Sequence, residues 1–229
     1  MALYIPFGIL TIILIFSGKR NGSIAIIFAL FIYFIVEYKV GNKARQFSKI
    51  LKNLLLVSFI VVAVYLYLSS HYSINLIERL MSLPEDGGSS RDVIYSSVWF
   101  AIKNSTMFEW LFGHGTRGII TVFGRNTGAH NDFLEIFYNF GFFSVVIFIV
   151  FYIVLISTAF KMIKDKYYGA SAFAASIVIS LFMSMFSNYV ITFTHITSTA
   201  CFWGIVLADW ISIKQNRDIP HLSKGSGIL

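Results

Sequence analysis

Apolar residues run almost without interruption through six stretches of the chain, 3–17, 22–38, 54–70, 140–160, 169–187 and 193–213. Most come close to the ~20 residues that a helix needs to cross the hydrocarbon core of a bilayer. Between the third and fourth stretches lies a polar island, residues 71–139. This pattern predicts an all-α, polytopic integral membrane protein with about six transmembrane helices and one long, partly helical loop. The division expected is helices in 1–70, the loop in 71–139, helices in 140–213 and a tail in 214–229. The first two stretches are short, so each must tilt little or thin the bilayer locally. The first also has the length of a signal peptide, but it lacks a basic start and an obvious small-residue cleavage site.

Composition supports the membrane reading and excludes a single water-soluble domain. Of 229 residues, 57% are apolar, 13% are charged and 24 are Phe; the mean hydropathy is +0.74. So much apolar surface does not fit inside one soluble core of this size. The net charge of +7 is mostly topology. Lys39, Lys43, Arg45, Lys49 and Lys52 crowd one connection, Lys161, Lys164 and Lys166 another, and Lys214, Arg217 and Lys224 the tail. Basic loops are retained in the cytoplasm, which places both termini inside and the 71–139 loop outside, with Lys19-Arg20 and residues 187–192. Nucleic acid is therefore not an expected partner. The single cysteine, Cys201, lies in the last apolar stretch, where it excludes an intramolecular disulfide and reads as a packing residue.

Within the outer loop, Ile74, Leu76, Ile77, Leu80 and Met81 mark an amphipathic helix over 71–83 that lies on the membrane surface and ends at Pro84 and Gly87-Gly88. A second helix is expected from Ser89 or Ser90, with Asp92 in its first turn and Val93, Ile94, Val98, Trp99 and Ile102 on one side. Five glycines between Gly113 and Gly128 then punctuate a loop, and a third helix starts near His130 and runs into the fourth span. In the fifth span Ala172, Ser176, Ser180 and Ser184 recur every four residues, a small-residue face for close helix packing.

Several of these features occur in a recognisable order: a short span ending in Ser17-Gly18-Lys19-Arg20-Asn21-Gly22, a basic inner loop, Ser90-Arg91 to Trp99, Gly113-His114-Gly115, and His130-Asn131 followed by Gly141. Over about residues 5 to 145 this resembles the C-terminal half of the O-antigen ligase and polymerase family of bacterial integral membrane glycosyltransferases. In ligases of that family the last motif reads His-Asn, nine residues, Gly, two residues, Gly; here Ser144 stands where the final glycine falls. Members carry about twice as many spans, so the resemblance makes this chain either a shortened member or a piece lacking the N-terminal half, with part of the lipid-substrate cavity outside it.

The resemblance implies transfer of a glycan from a polyprenyl-diphosphate carrier to a sugar hydroxyl, on the periplasmic face of the inner membrane, without cofactor or metal. Partners are then the lipid-linked donor, a glycan acceptor (a lipid-linked repeat or the lipid A core) and membrane lipids. Residue chemistry fits that reaction. A departing diphosphate builds negative charge that arginine can hold bidentately, which nominates Arg20 and Arg91, with Arg117 and Arg125 behind them. An attacking hydroxyl must lose a proton, and a histidine of pKa near ~6.5 can accept it. His130 is the candidate base, Asn131 orients substrate or ring, and His114 is a further binding candidate.

Each assignment has a plainer competitor. Arg20 can hold lipid headgroups, Arg91 can pair with Asp92 or Glu85, and His130 can cap or pack a helix. His114 reads equally as a loop histidine, and Arg117 and Arg125 as anchors of the loop to headgroups. Asp132 and Glu135 invite a metal reading with His130, but their spacing is no clean ligand set. Asp209 is expected to snorkel or to meet Lys214. Polymerase is preferred over ligase because of Ser144 and the short outer loop. A noncatalytic membrane protein, such as a transporter component or a truncated remnant of the family, is the alternative; transporters bury ionisable groups at the midplane, whereas here the polar groups gather outside the spans.

Overall fold

A computed structural model describes residues 20–41, 52, 63, 87–123 and 128–218. Among them the chain is all helical: α1 (Arg20–Val40), α2 (Gly87–Lys103), α3 (Met107–Phe112), α4 (Ile119–Phe123), α5 (Asp132–Lys164), α6 (Ala170–Phe186) and α7 (Phe193–Asp218). The apolar stretches at 3–17 and, apart from residue 63, at 54–70, the expected surface helix at 71–83 and Arg125 lie outside the described residues.

Two described helices are long and apolar enough to cross a membrane, α5 and Thr194–Arg217 of α7; α6 is apolar but shorter. The six-span expectation thus reduces, among the described residues, to an all-helical fold with two candidate spans. The outer face of α5 leaves Phe143, Ile147, Ile153, Val154 and Phe160 exposed. A continuous apolar face of this kind suits lipid as its solvent, with every backbone group satisfied inside the helix. Acidic Asp132 and Glu135 open α5 and basic Lys161 and Lys164 close it, the charge order that a helix dipole favours.

The helices α1, α5, α6 and α7 share one core. Buried Gly22, Ala25 and Ala29 let α1 approach α6 closely. The pair runs antiparallel, since Asn21 bonds to Phe186 O at one end (2.8 Å) and Ser171 Oγ donates to Glu37 Oε2 at the other (2.7 Å). The small-residue face of α6 is more than a packing surface. Ser180 and Ser184 are buried and pair with Tyr152 Oη of α5 at 2.8 and 3.0 Å, and Ser176 Oγ accepts from Trp203 Nε1 of α7 at 2.8 Å. Hydroxyls within an apolar bundle need such partners, because lipid offers none.

This packing gives the bundle two distinct ends. At one end lie Lys39, the turn from Asp165 to Gly169, Lys214 and Arg217; at the other lie Asn21, the start of α5, the end of α6 and the connection into α7. Asp209, part-exposed, does not pair with Lys214 but accepts from Tyr167 Oη at 2.6 Å and from Tyr168 Oη. Lys214 instead faces Asp165 at 3.6 Å.

A second core joins the loop helices to α5, through Val98, Ile102, Ile119, Ala129 and Tyr138. The critical contact is backbone on backbone. Gly141 interrupts α5 at φ 80°, which frees the Tyr138 and Asn139 carbonyls to accept from His114 N and Gly115 N, each at 2.9 Å. Gly113 closes α3 at φ 79°. A Cβ on Gly141 would lie 2.2 Å from Leu111 O, and one on Gly113 would lie 2.3 Å from Asn139 O. Only glycine permits both the left-handed φ and the approach, so the glycine ten residues after Asn131 is the point where α3 docks. Ser144, at the motif's last position, donates its Oγ to Phe140 O (2.9 Å) and so adds a bond beside the interruption.

Candidate active site

Three consecutive residues, His130, Asn131 and Asp132, attach the start of α5 to the polar end of the bundle. Asn131 is the N-cap, its Oδ1 accepting from Leu134 N at 3.1 Å, which satisfies one of the orphan amides of the first turn. Its other half is also used: Nδ2 donates to Met185 O at 2.9 Å. The position therefore requires an acceptor and a donor in one short side chain, which asparagine supplies.

Asp132 is fully buried and accepts backbone amides from the connection after α6. Tyr189 N donates to both oxygens, at 3.2 and 3.1 Å, and Val190 N to Oδ2 at 2.7 Å. Glu135, one turn on, accepts Ala129 N at 2.9 Å and a side-chain hydrogen bond from Asn188. Both carboxylates, weighed above as metal ligands with His130, thus engage backbone amides and fasten the segments on either side of His130.

The end of α6 collects the remaining donors. Phe186 O accepts from Arg91 Nη1 at 2.7 Å and from Asn21 Nδ2 at 2.8 Å. These carbonyls belong to the last turn, where no intrahelical partner exists and the dipole is negative, so a guanidinium is well placed there. Arg91 spends one of its N–H groups in this way; its five donors leave others for a ligand. Tyr95, one turn after Arg91 on the same face of α2, donates Oη to His130 O at 3.1 Å and approaches Met185 O at 3.4 Å. Burial raises the Tyr95 pKa, with the Arg91 charge and a bond to Asn131 opposing, so the phenol stays protonated and remains a donor.

His130 adopts the left-handed region at φ 53°, a conformation uncommon for a residue with a side chain. It is held by Tyr95 on its carbonyl and by the bonds of Ala129 and Asn131 on either side. The ring is half-buried, and no hydrogen bond occupies its nitrogens among the described residues. Burial, and then the Arg91 charge, lower its pKa from the usual histidine value. The imidazole is consequently neutral near pH 7 and able to accept a proton.

The structure thus brings Arg91, His130 and Asn131 together at the end of α6, with Arg20 at the first position of α1, next to Asn21. Arg117 is exposed at the turn before α4, and no interaction among the described residues ties it to this group. His114 lies against Tyr138, seven positions beyond Asn131 on α5 or about 10 Å along a helix. Its ring stacks on Tyr138 at 4.1 Å, Nδ1 faces Tyr138 O at 3.1 Å and Nε2 faces Ser105 Oγ at 3.2 Å. Sequence reasoning overlooked Tyr95 and the α6 carbonyls, and held Asn21 only as a motif position without a role. The four-residue spacing of Arg91 and Tyr95 was a signal for the first; the carbonyls have none.

Among the described residues the chain is all helical, with two candidate membrane spans and a polar site at one end of its bundle. The model of a family described as O-antigen ligase matches residues 5–149, more than half of the 229, and the chain belongs to that family of bacterial membrane proteins. Comparison with curated proteins and with solved structures gives no match. The matched region contains α1 to α4 and the start of α5, and therefore Arg20, Arg91, His130, Asn131 and Gly141; the end of α6, which supplies the accepting carbonyls, and the connection after it, which supplies the amides, lie beyond it.

Proposed function

We propose that this chain is an inverting membrane glycosyltransferase that moves a glycan from a polyprenyl-diphosphate carrier to a sugar hydroxyl, polymerase being preferred and ligase next. The observation that carries the reading is the placement of Arg91 and His130 together at the end of α6. His130 takes the proton of the acceptor hydroxyl as that oxygen bonds to the anomeric carbon. The bond from that carbon to the diphosphate breaks, and the electron pair leaves with the lipid diphosphate. Arg91 and Arg20 hold the charge that builds on the leaving group. General-base assistance of this kind contributes about 10²–10⁴ in rate. Asn131 orients the His130 segment, and attack from the side opposite the leaving group inverts the configuration.

The sidedness follows from charge. Lys39, Lys161, Lys164, Lys166, Lys214 and Arg217 lie towards the end opposite the site, so the positive-inside rule puts that end in the cytoplasm and the site in the periplasm, with six spans and both termini inside. Nucleotide-activated sugars are not expected there, and a donor must carry its own leaving group. Arg117 and Arg125 serve as outer contacts to lipid or glycan, and His114 supports the loop that borders them.

The test is restoration of surface polysaccharide in a host strain lacking its own polymerase or ligase. The unaltered chain is expected to restore it, with a ladder for a polymerase or a single shift for a ligase, and His130→Ala and Arg91→Ala at equal expression are expected to abolish it. Unchanged polysaccharide in both variants refutes the assignment.

A further inference from the structure

The end of the bundle remote from the transfer site contains a cavity of about 210 Å³ lined by Asp165, Tyr167, Trp210, Ile213, Lys214 and Arg217. It lies where both candidate spans stop, at Lys164 and at Arg217, and so at the depth of phospholipid headgroups if those helices cross the bilayer. The volume is below the ~300–1,000 Å³ of pockets that take drug-sized ligands and suits a headgroup better than a lipid chain or an oligosaccharide.

Among the described residues its two cations are incompletely neutralised. Lys214 Nζ is 3.6 Å from Asp165 Oδ2, a loose pair with more than half of the lysine exposed. Among the described residues the Arg217 guanidinium makes one long contact, Nη1 to Asp165 O at 3.4 Å. Asp165 is also engaged by Trp210 Nε1 at 3.1 Å, so a single carboxylate is divided among a lysine and an indole. Lys214 stands over the Trp210 ring at 5.4 Å, which holds the ammonium at the cavity rim. Two cations, one shared carboxylate and an apolar wall of Ile213 and indole match a phosphate ester joined to an apolar chain.

We infer that this cavity binds the phosphate of an anionic phospholipid headgroup, with Lys214 and Arg217 as its ligands and the acyl chains passing along Ile213. The site lies away from His130 and Arg91 and does not depend on the transfer reaction. Arg217 donates in parallel to two phosphate oxygens and Lys214 acts as a point charge. The Asp165 carboxylate competes with the phosphate for Lys214 and so sets the affinity.

The full-length protein is to be reconstituted in nanodiscs of phosphatidylcholine with or without phosphatidylglycerol, and its thermal unfolding and retained lipid recorded, with inorganic phosphate added to phosphatidylcholine discs as a separate arm. Phosphatidylglycerol is expected to raise the unfolding temperature and to co-purify. The K214A/R217A variant is expected to bind it on the order of 10- to 30-fold more weakly. Asp165→Asn, which keeps an acceptor for Trp210 but removes the competing charge, is expected to bind more tightly, a gain that a merely disturbed fold would not give. Protection by inorganic phosphate alone would identify a soluble anion as the source and retain the site. Equal behaviour with and without phosphatidylglycerol and phosphate, or an Asp165→Asn variant that loses affinity, would overturn the inference. Polysaccharide synthesis is not read, so failure of the glycosyltransferase reading leaves this result unaffected.

Discussion

Asp132→Ala tests the claim that a buried carboxylate holds the two halves of the site together. The wild-type side chain receives the amides of Tyr189 and Val190 at 2.7–3.2 Å in a position closed to solvent. Alanine leaves both part-buried amides without this acceptor. At ~1–3 kcal/mol for each buried unsatisfied group the loss is at most about 2–6 kcal/mol. Asp132→Asn should cost far less, on the order of 1 kcal/mol, because one oxygen placed at the Oδ2 position can still accept from both amides. The assay is equilibrium unfolding in mixed micelles, with folded protein followed by tryptophan fluorescence. An alanine variant within ~0.5 kcal/mol of wild type, the range of ordinary surface changes, would refute the clamp, as would an asparagine variant as unstable as alanine. Transfer should fall with stability in the alanine variant, since the end of α6 then no longer fixes Arg91.

Other outcomes follow from the same geometry. Because burial and Arg91 hold the His130 pKa below its usual value, more than half of the base is already neutral at the ordinary ~6.5. The transfer rate should rise with pH through a limb below that point and be flat above it; Arg91→Gln should move the limb to higher pH, and a limb that stays in place would contradict the coupling. Gly141→Ala places a Cβ 2.2 Å from Leu111 O in a left-handed backbone; a loss of at least ~1–3 kcal/mol in thermal unfolding is expected. Tyr152→Phe removes the hydroxyl shared by Ser180 and Ser184 and should cost about 0.5–1.5 kcal/mol in the same measurement, with transfer retained.

How much of this was legible in the sequence depends on whether the determinant is local. Apolar runs and their ends located α1, α5, α6 and α7, because lipid-facing helices announce themselves by composition. Helix α2 was anticipated, but it begins at Gly87 and not at Ser89 or Ser90, within the usual uncertainty of helix ends. The short helix α3 has no hydrophobic period to detect. Its capping box of Thr106 and Glu109 was nevertheless a readable signature. Arg91 and His130 were both singled out by residue type. Their meeting depends on an acceptor, the end of α6, that contributes only backbone carbonyls. The role of Asp132 was hidden for the same reason: its partners are amides, which every residue possesses. Gly141 stood out as a motif position, while its reason, the bare approach of α3, exists only in three dimensions.

The measurement closest to the central claim is glycan transfer by purified protein in proteoliposomes, from a polyprenyl-diphosphate donor to a defined acceptor, comparing wild type with His130→Ala, Arg91→Ala and the double variant. The account predicts that His130→Ala loses about 10²–10⁴ in rate, that Arg91→Ala loses activity as well, and that the double variant loses less than the product of the two, because the residues act in one transition state. Wild-type rates in the His130→Ala protein would contradict it.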